Sequence, residues 1–372
     1  MNGSAIAPRG AWFSLNVRIS QNWLIVNSSH RDSGTIAPMA VIANSMEETA
    51  GRIRPFDIRR DLNPVADLIE ECFADTLDQD GERYLRQMRS TANNATLLYW
   101  AGALIDPSTA PMAGFVWEED GRIVGNLSLI RFSIHDPHRS RHCSLIANVA
   151  VHPQYRRRGI ARALTQTGIE EAHRRKANSI WLHVREENQT AQSLYRSLGF
   201  AERFRRTTWQ ISTNTLIASD KNPASLPAPD LNVTPRRTNH WTFQENWLSL
   251  IYPPEIAWHL PYNTYIFRPG ILGAFYRIIS DARVRQWSAL RSHQLLGVIA
   301  WQGFYDHADH LWLATPDGID EDGIYTLLVF VCRHLPDHRL LTLDFPAHQA
   351  EQAILDAGFK PHQTLIWMEY QE

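Results

Sequence analysis

The chain has 372 residues, 44% of them hydrophobic and 20% charged, and a formal charge of −2, which excludes a disordered polymer and gives no electrostatic case for nucleic acid or an acidic membrane surface. A length beyond about 100–200 residues predicts two folded units. Cys72, Cys143 and Cys332 sit at unrelated spacings that suit neither a disulfide framework nor a metal site, and no apolar run nears the length of a membrane span, so a reducing, cytoplasmic setting without metal or membrane partner is expected.

Residues 1–52 show no sustained periodicity, and Trp23–Val26 is too short an apolar run for a signal peptide. They read as a poorly structured extension or an over-long start to the reading frame. Order is expected from Ile53: a first strand, then a helix capped by Asp61 or Asn63 with Val65, Leu68, Ile69 and Phe73 on its apolar face. Asp120-Gly121 between two extended runs predicts a hairpin, Gly114–Glu118 against Arg122–Phe132. Ser144–Val151 is a further strand ended by His152-Pro153. From Gly159 the period becomes helical to about Lys176; Ser179–Val184 returns to strand and Gln189–Leu198 to helix, stopped at Gly199. An antiparallel start followed by a β-α-β-α unit predicts a mixed α/β fold with a mainly antiparallel sheet flanked by helices.

Proline, serine and alanine accumulate between residues 212 and 236, as in a semi-rigid linker. Beyond it, Gln294–Val298 resembles Arg122–Asn126, and Asp356-Ala357-Gly358-Phe359 resembles Ser197-Leu198-Gly199-Phe200. A weak internal repeat follows, giving an expected division into an extension (1–52), a first unit (53–211), a linker (212–236) and a remodelled copy (237–372).

The segment Val151-His152-Pro153-Gln154-Tyr155-Arg156-Arg157-Arg158-Gly159-Ile160-Ala161 carries the chemistry. A basic turn opening a helix offers free N–H groups and the positive end of the helix dipole, and Gly159 lets the backbone approach a phosphate closely. A basic cap on a solvated face would read the same in isolation. Downstream stands Asn188-x-x-Ala191-x-x-x-Tyr195-x-x-x-Gly199-Phe200.

Together these two motifs resemble those of the GNAT superfamily of acetyl-CoA-dependent N-acetyltransferases, whose loop pattern Q/R-x-x-G-x-G/A is met by Arg156, Gly159 and Ala161. The resemblance implies that Arg156, Arg157, Arg158, Gly159, Ile160 and Ala161 hold the CoA pyrophosphate, and that backbone groups of Val149 and Val151 pair with the pantetheine arm. It implies that Asn188 lies beside that arm, although an N-cap for the helix at Gln189 explains it equally. It implies that Tyr195 protonates the departing thiolate, whereas the i, i+3, i+4, i+7 spacing of Ala191, Leu194, Tyr195 and Leu198 also suits a core tyrosine. The family often places a glutamate near the motif strand as general base; Ser144–Val151 carries no carboxylate. His135, His142, His183, Glu186 and Glu187 stand nearby and read as surface or partner-satisfied groups, and Cys143 lacks a visible base.

Counting on from Pro316 as from Pro153, the second copy has the acidic turn Asp317–Gly323, and Ile354 replaces the tyrosine. A degenerate GNAT-like copy that does not bind CoA is therefore expected. The favoured function is direct acetyl transfer from acetyl-CoA as co-substrate to a primary amine, small-molecule or peptide, in a ternary complex; the alternative is a non-catalytic acyl-CoA-binding or scaffold protein.

Overall fold

The computed structural model describes residues 51–74, 79–93, 113–135, 140–212, 230–304, 308–335 and 340–371. Of the extension expected at 1–52, residues 1–50 lie outside them, as does most of the linker, while Arg52 already belongs to the first strand. In chain order the elements are β1 Arg52–Pro55, α1 Leu62–Phe73, α2 Gln79–Asn93, β2 Ala113–Glu119, β3 Arg122–His135, β4 Ser140–Val151, α3 Ile160–Arg174, β5 Ser179–Arg185, α4 Gln189–Ser197 and β6 Phe200–Ser212. Then come β7 Leu231–Pro235, α5 Trp241–Ile251, α6 Pro254–Ala257, α7 Gly270–Ile279, β8 Arg283–Arg291, β9 Gln294–Gly303, β10 Asp309–Ala314, α8 Glu321–His334, β11 Leu340–Pro346, α9 Glu351–Asp356 and β12 Lys360–Tyr370. A mixed α/β fold with a mainly antiparallel sheet is what the pattern predicts and what is found.

Local chemistry explains most boundaries. Asp120 and Gly121 take φ of 51° and 74°, the left-handed pair that a tight hairpin requires. Helix α1 buries Leu62, Val65, Leu68, Ile69 and Phe73, as its spacing predicts. Asp61 stands at its N-cap position but forms no side-chain cap. Instead its carboxylate takes two hydrogen bonds from the Arg54 guanidinium, at 2.5 and 2.9 Å, and one from Asp57 N at 2.7 Å. A charge-assisted bidentate pair outcompetes a single cap bond. Within the span expected as linker, Leu231–Pro235 is a strand, pairing Leu231 with Arg291 through Pro235 with Trp287. Its terminal proline is tolerated because β7 is an edge strand.

The strands form one sheet in the order β1-β2-β3-β4-β5-β12-β6-β11-β10-β9-β8-β7. That order is its own mirror when β1–β6 are exchanged for β7–β12. Each run of six ends in a strand that crosses to the other: β12 enters between β5 and β6, and β6 pairs with β11 from Arg206↔Pro346 to Ser212↔Leu340. The two hairpins even share an irregularity, a register shift after Trp117↔Gly125 in one and after Ala289↔Gly297 in the other.

Side-chain alternation along the strands sorts the cores onto two faces. One face packs α3 and α4 over β3–β5 and β12, and α8 and α9 over β6 and β8–β11. The opposite face packs α1 and α2 against Trp181, Leu365 and Trp367, and α5 against Trp312. Leu365, Ile366, Trp367 and Met368 of β12 are thus buried in the first half. At about 1.5–3 kcal/mol per large apolar side chain their burial is comparable with the whole net stability of a domain.

Candidate active site

Strands β4 and β5 are parallel and pair only from Cys143↔Ser179 to Ile146↔Leu182. Beyond that they part. The cause is a bulge: the register of β3 against β4 shifts between Asn126 and Ser128, and Asn148 takes a φ of 50°. The Asn126 side chain donates to Asn148 O at 2.9 Å, and Asn148 Nδ2 donates to the Tyr84 hydroxyl of α2 at 3.0 Å, so the bulge is pinned on both sides of the strand. His152 N donates to Val124 O on β3 at 2.9 Å. By alternation the peptide groups of Val151 and Val149 turn to the other edge, into the gap facing β5. Tyr84 and Asn148 were not among the residues singled out by motif; a tyrosine on a distant helix gives no local signal.

The basic turn follows. His152 caps a one-turn helix, Pro153–Tyr155, through Nδ1 accepting from Gln154 N. Its other ring nitrogen lies 3.0 Å from Arg122 and 2.8 Å from Glu71. Arg157 has a φ of 63° and Gly159 one of 81°. A left-handed conformation costs a non-glycine residue about 1–2 kcal/mol, so the turn holds strain in order to aim its N–H groups. At Gly159 an added Cβ would meet nothing within 4 Å, so the space before α3 is open. Ala163 N is the first to bond back, to Gly159 O at 3.0 Å, which leaves the N–H groups of Ile160, Ala161 and Arg162 without an acceptor inside the helix. The Ile160 side chain itself is buried in the core.

The three arginines differ from one another. Arg156 Nε donates to Val151 O at 3.2 Å, and Arg158 pairs with Glu119 at 3.0 Å and lies 5.2 Å over the Tyr155 ring. Arg157 is exposed and in no ion pair among the described residues. The cradle for an anion is therefore chiefly main-chain, a run of N–H groups at a helix start, with the arginines around it.

Asn188 is the N-cap of α4, its Oδ1 accepting from Ala191 N at 3.1 Å. Tyr195 is 1% exposed, in the same cluster as Val149 and Val184 from the two diverging strands, with its ring edge-on to Phe200 at 6.0 Å. Burial pushes its hydroxyl well above the usual tyrosine range.

Around the site, proton acceptors are scarce. His183, which the sequence suggests is at the surface or partner-satisfied, is buried on β5 beside Trp367, with no hydrogen-bond partner for Nδ1 among the described residues. Burial, with the neighbouring His259, pushes its pKa down to about 3. His259 comes from the chain after α6, its ring 5.0 Å from that of Trp367. Glu186 is held by Arg205 at 2.5 Å and Glu187 by Arg185 at 3.2 Å. Burial raises the Cys72 thiol to about 11 and also raises Cys143, whose sulfur accepts from Ser179 at 3.1 Å, so neither is a ready nucleophile. Among the described residues no cluster of His, Cys, Asp and Glu could hold a metal ion, and no helix is long and apolar enough to cross a membrane.

Residues 65–200 match the family model described as acetyltransferase (GNAT) family. The [ribosomal protein bS18]-alanine N-acetyltransferase of Escherichia coli (strain K12) is 47% identical over 55 residues, 15% of this chain and 37% of that protein. Its counterpart in Haemophilus ducreyi is 40% identical over 53 residues, 14% of this chain and 37% of that protein. The chain thus spans 37% of the length of the curated relatives it matches. Among solved structures, a tandem GNAT protein from the clavulanic acid biosynthesis pathway is 16% identical at a TM-score of 0.43, covering 86% of this chain and 98% of that one. A GCN5-related N-acetyltransferase from Sphaerobacter thermophilus is 15% identical at 0.48, covering 86% and 95%. The open strand pair and the helix-start cradle both lie inside residues 65–200, the span that matches the acetyltransferase (GNAT) family model.

Proposed function

We propose that the chain is an N-acetyltransferase that moves the acetyl group of acetyl-CoA to a primary amine, of a small molecule or a peptide, by direct transfer in a ternary complex. The observation that carries this reading is the parting of β4 from β5 after Ile146↔Leu182 next to the left-handed Gly159. A gap between strands offers free peptide groups to a chain of amides, and the helix start offers N–H groups to a pyrophosphate. In this reading Val149 and Val151 hold the pantetheine arm. The loop Arg156–Ala161 holds the phosphates, Ile160 through its main chain, and Asn188 orients the start of α4 beside the arm. The co-substrate supplies an activated thioester. Tyr195 holds, on its hydroxyl, the proton that the departing thiolate takes, and the tyrosinate left behind regains a proton from water. No carboxylate of this chain stands on β4, so the amine must arrive as the free base or lose its proton to water.

Residues 53–211 form the catalytic unit in this proposal, and residues 237–372 a degenerate GNAT-like unit that does not bind CoA. The relatives named above act on an alanine of a ribosomal protein, but the likeness covers too little of either chain to carry that acceptor over. A second reading, an acyl-CoA-binding protein without turnover, draws on the depth of Tyr195 and the neutral His183. Mixing the purified chain with acetyl-CoA and a panel of amines, then following free thiol, separates the two. Amine-dependent thiol release supports the transferase; tight acetyl-CoA binding with no release for any amine supports the second reading.

A further inference from the structure

Helix α7 carries the sequence GILGAFYRII. Ile271, Ile278 and Ile279 are 88%, 79% and 69% exposed, and Leu272 and Phe275 are exposed with them. At 100° per residue these five side chains fall within one arc of the helix. The opposite side is fixed: Gly273 is buried, and a Cβ there would stand 1.8 Å from Arg268 O, so the helix lies hard against the segment before it. A continuous apolar face of this size on a folded surface marks an interaction site.

The same helix borders a cationic recess. Arg236, Arg268 and Arg277, with Pro235, Pro269, Val284 and Gln286, line a cavity of about 250 Å³, with no carboxylate among the described residues that line it. Arg236 donates to Phe267 O at 2.6 Å, and Arg277 to Ile266 O at 2.9 Å and Arg268 O at 3.1 Å. Backbone carbonyls hold the Arg236 and Arg277 guanidinium groups, and among the described residues none of the three arginines is in an ion pair. Arg236 Nε is buried without a hydrogen-bond partner among the described residues.

Apolar side chains beside uncompensated arginines select among occupants. A second copy pairing through the apolar arc would leave these arginines without a counter-charge, since Arg277 falls on the side of the helix away from that arc. The surface of an anionic bilayer supplies phosphates at headgroup depth and hydrocarbon just below them, matching both features of one ten-residue helix. We infer that α7, with Arg236, Arg268 and Arg277, is a docking surface for an anionic phospholipid bilayer, on which the chain rests peripherally. A formal charge of −2 and the lack of a long apolar run weigh against attraction to an acidic surface and against a membrane span. Neither quantity tests a helix that lies in the interface.

The test is sedimentation of the full chain with vesicles of phosphatidylglycerol mixed with phosphatidylcholine, and with phosphatidylcholine alone. Binding is expected to the anionic vesicles and to be far weaker on the neutral ones. It should weaken about fivefold for each of Arg236→Gln and Arg268→Gln. The double variant Ile271→Asp, Ile278→Asp should lose about tenfold or more with an unchanged melting temperature, since both residues are exposed. Inorganic phosphate at constant ionic strength should leave binding intact. The inference is overturned if the full chain sediments with neither vesicle, whether another part of the chain or a second copy covers the helix. Equal binding to both vesicle types, displacement by inorganic phosphate, or a wild-type dimer that only the double aspartate variant dissociates would overturn it equally.

Discussion

The helix starts at Ile160 and Glu321 follow equivalent strands in the two halves of the sheet, yet they present opposite chemistry. Before Ile160 stands Gly159, left-handed and without a side chain to cap the helix. Before Glu321 stands Asp320, whose carboxylate accepts from Gly323 N at 2.8 Å, with Glu321 and Asp322 in the first turn. Arg291 from the β8–β9 hairpin closes on Asp320 and lies 3.4 Å from Asp322. The second helix start thus carries its own anion, while the first leaves its N–H groups to an external one. Tyr195 and Ile354 teach the complementary lesson. Both are buried on the helix that follows the fifth strand, so the position faces the core in each half and only one of them adds a hydroxyl.

Four experiments bear on that contrast, the first with the largest effect. A chain stopped after residue 236 retains the first half's own strands but lacks β12, and it should be unfolded or aggregated by circular dichroism; a stable, cooperatively melting fragment would show that the halves do not depend on each other. Next, titration calorimetry should find one acetyl-CoA site per chain. Gly159→Glu with Arg156→Glu should weaken it about a hundredfold or more, the worth of two charge-assisted hydrogen bonds. Two equivalent sites would erase the distinction between the helix starts.

Tyr195→Phe keeps the ring and removes the hydroxyl. If Tyr195 acts as the acid, kcat and kcat/KM for the amine should fall together by about a hundredfold while acetyl-CoA affinity holds. Unchanged kcat would make Tyr195 the counterpart of Ile354, a packing residue. The smallest effect concerns the junction of the halves at Trp367, where burial pushes His183 and His259 each down to about 3. With folded values below the unfolded 6.5, the unfolded chain binds more protons between about pH 3 and 6.5. Stability should therefore fall as pH drops through that window. His183→Phe should flatten the acid limb of melting temperature against pH; an unaltered limb would mean that the ring is solvated.

The turn residues and the motif spacing were readable because their causes are local. Asp120-Gly121 and Gly159 take left-handed backbone conformations, and Asn188 caps α4 as its place in the sequence suggests. The bulge at Asn148, which opens the strand gap, had no such signature, because it depends on Asn126 and on Tyr84 from another helix. A formal charge of −2 does not say where charges sit, and the arginines beside α7 are in no ion pair among the described residues. By itself the sequence determined the strand-turn-helix order, the anion-ready start of α3 and the weak repeat, all products of contacts between near neighbours. Tertiary structure alone decided that β6 and β12 cross over, since strand partners are chosen by non-local pairing and burial. The halves are joined there by Arg206, bound to Asp344 and donating to Ile251 O at 2.7 Å, contacts made across separations that no local pattern records.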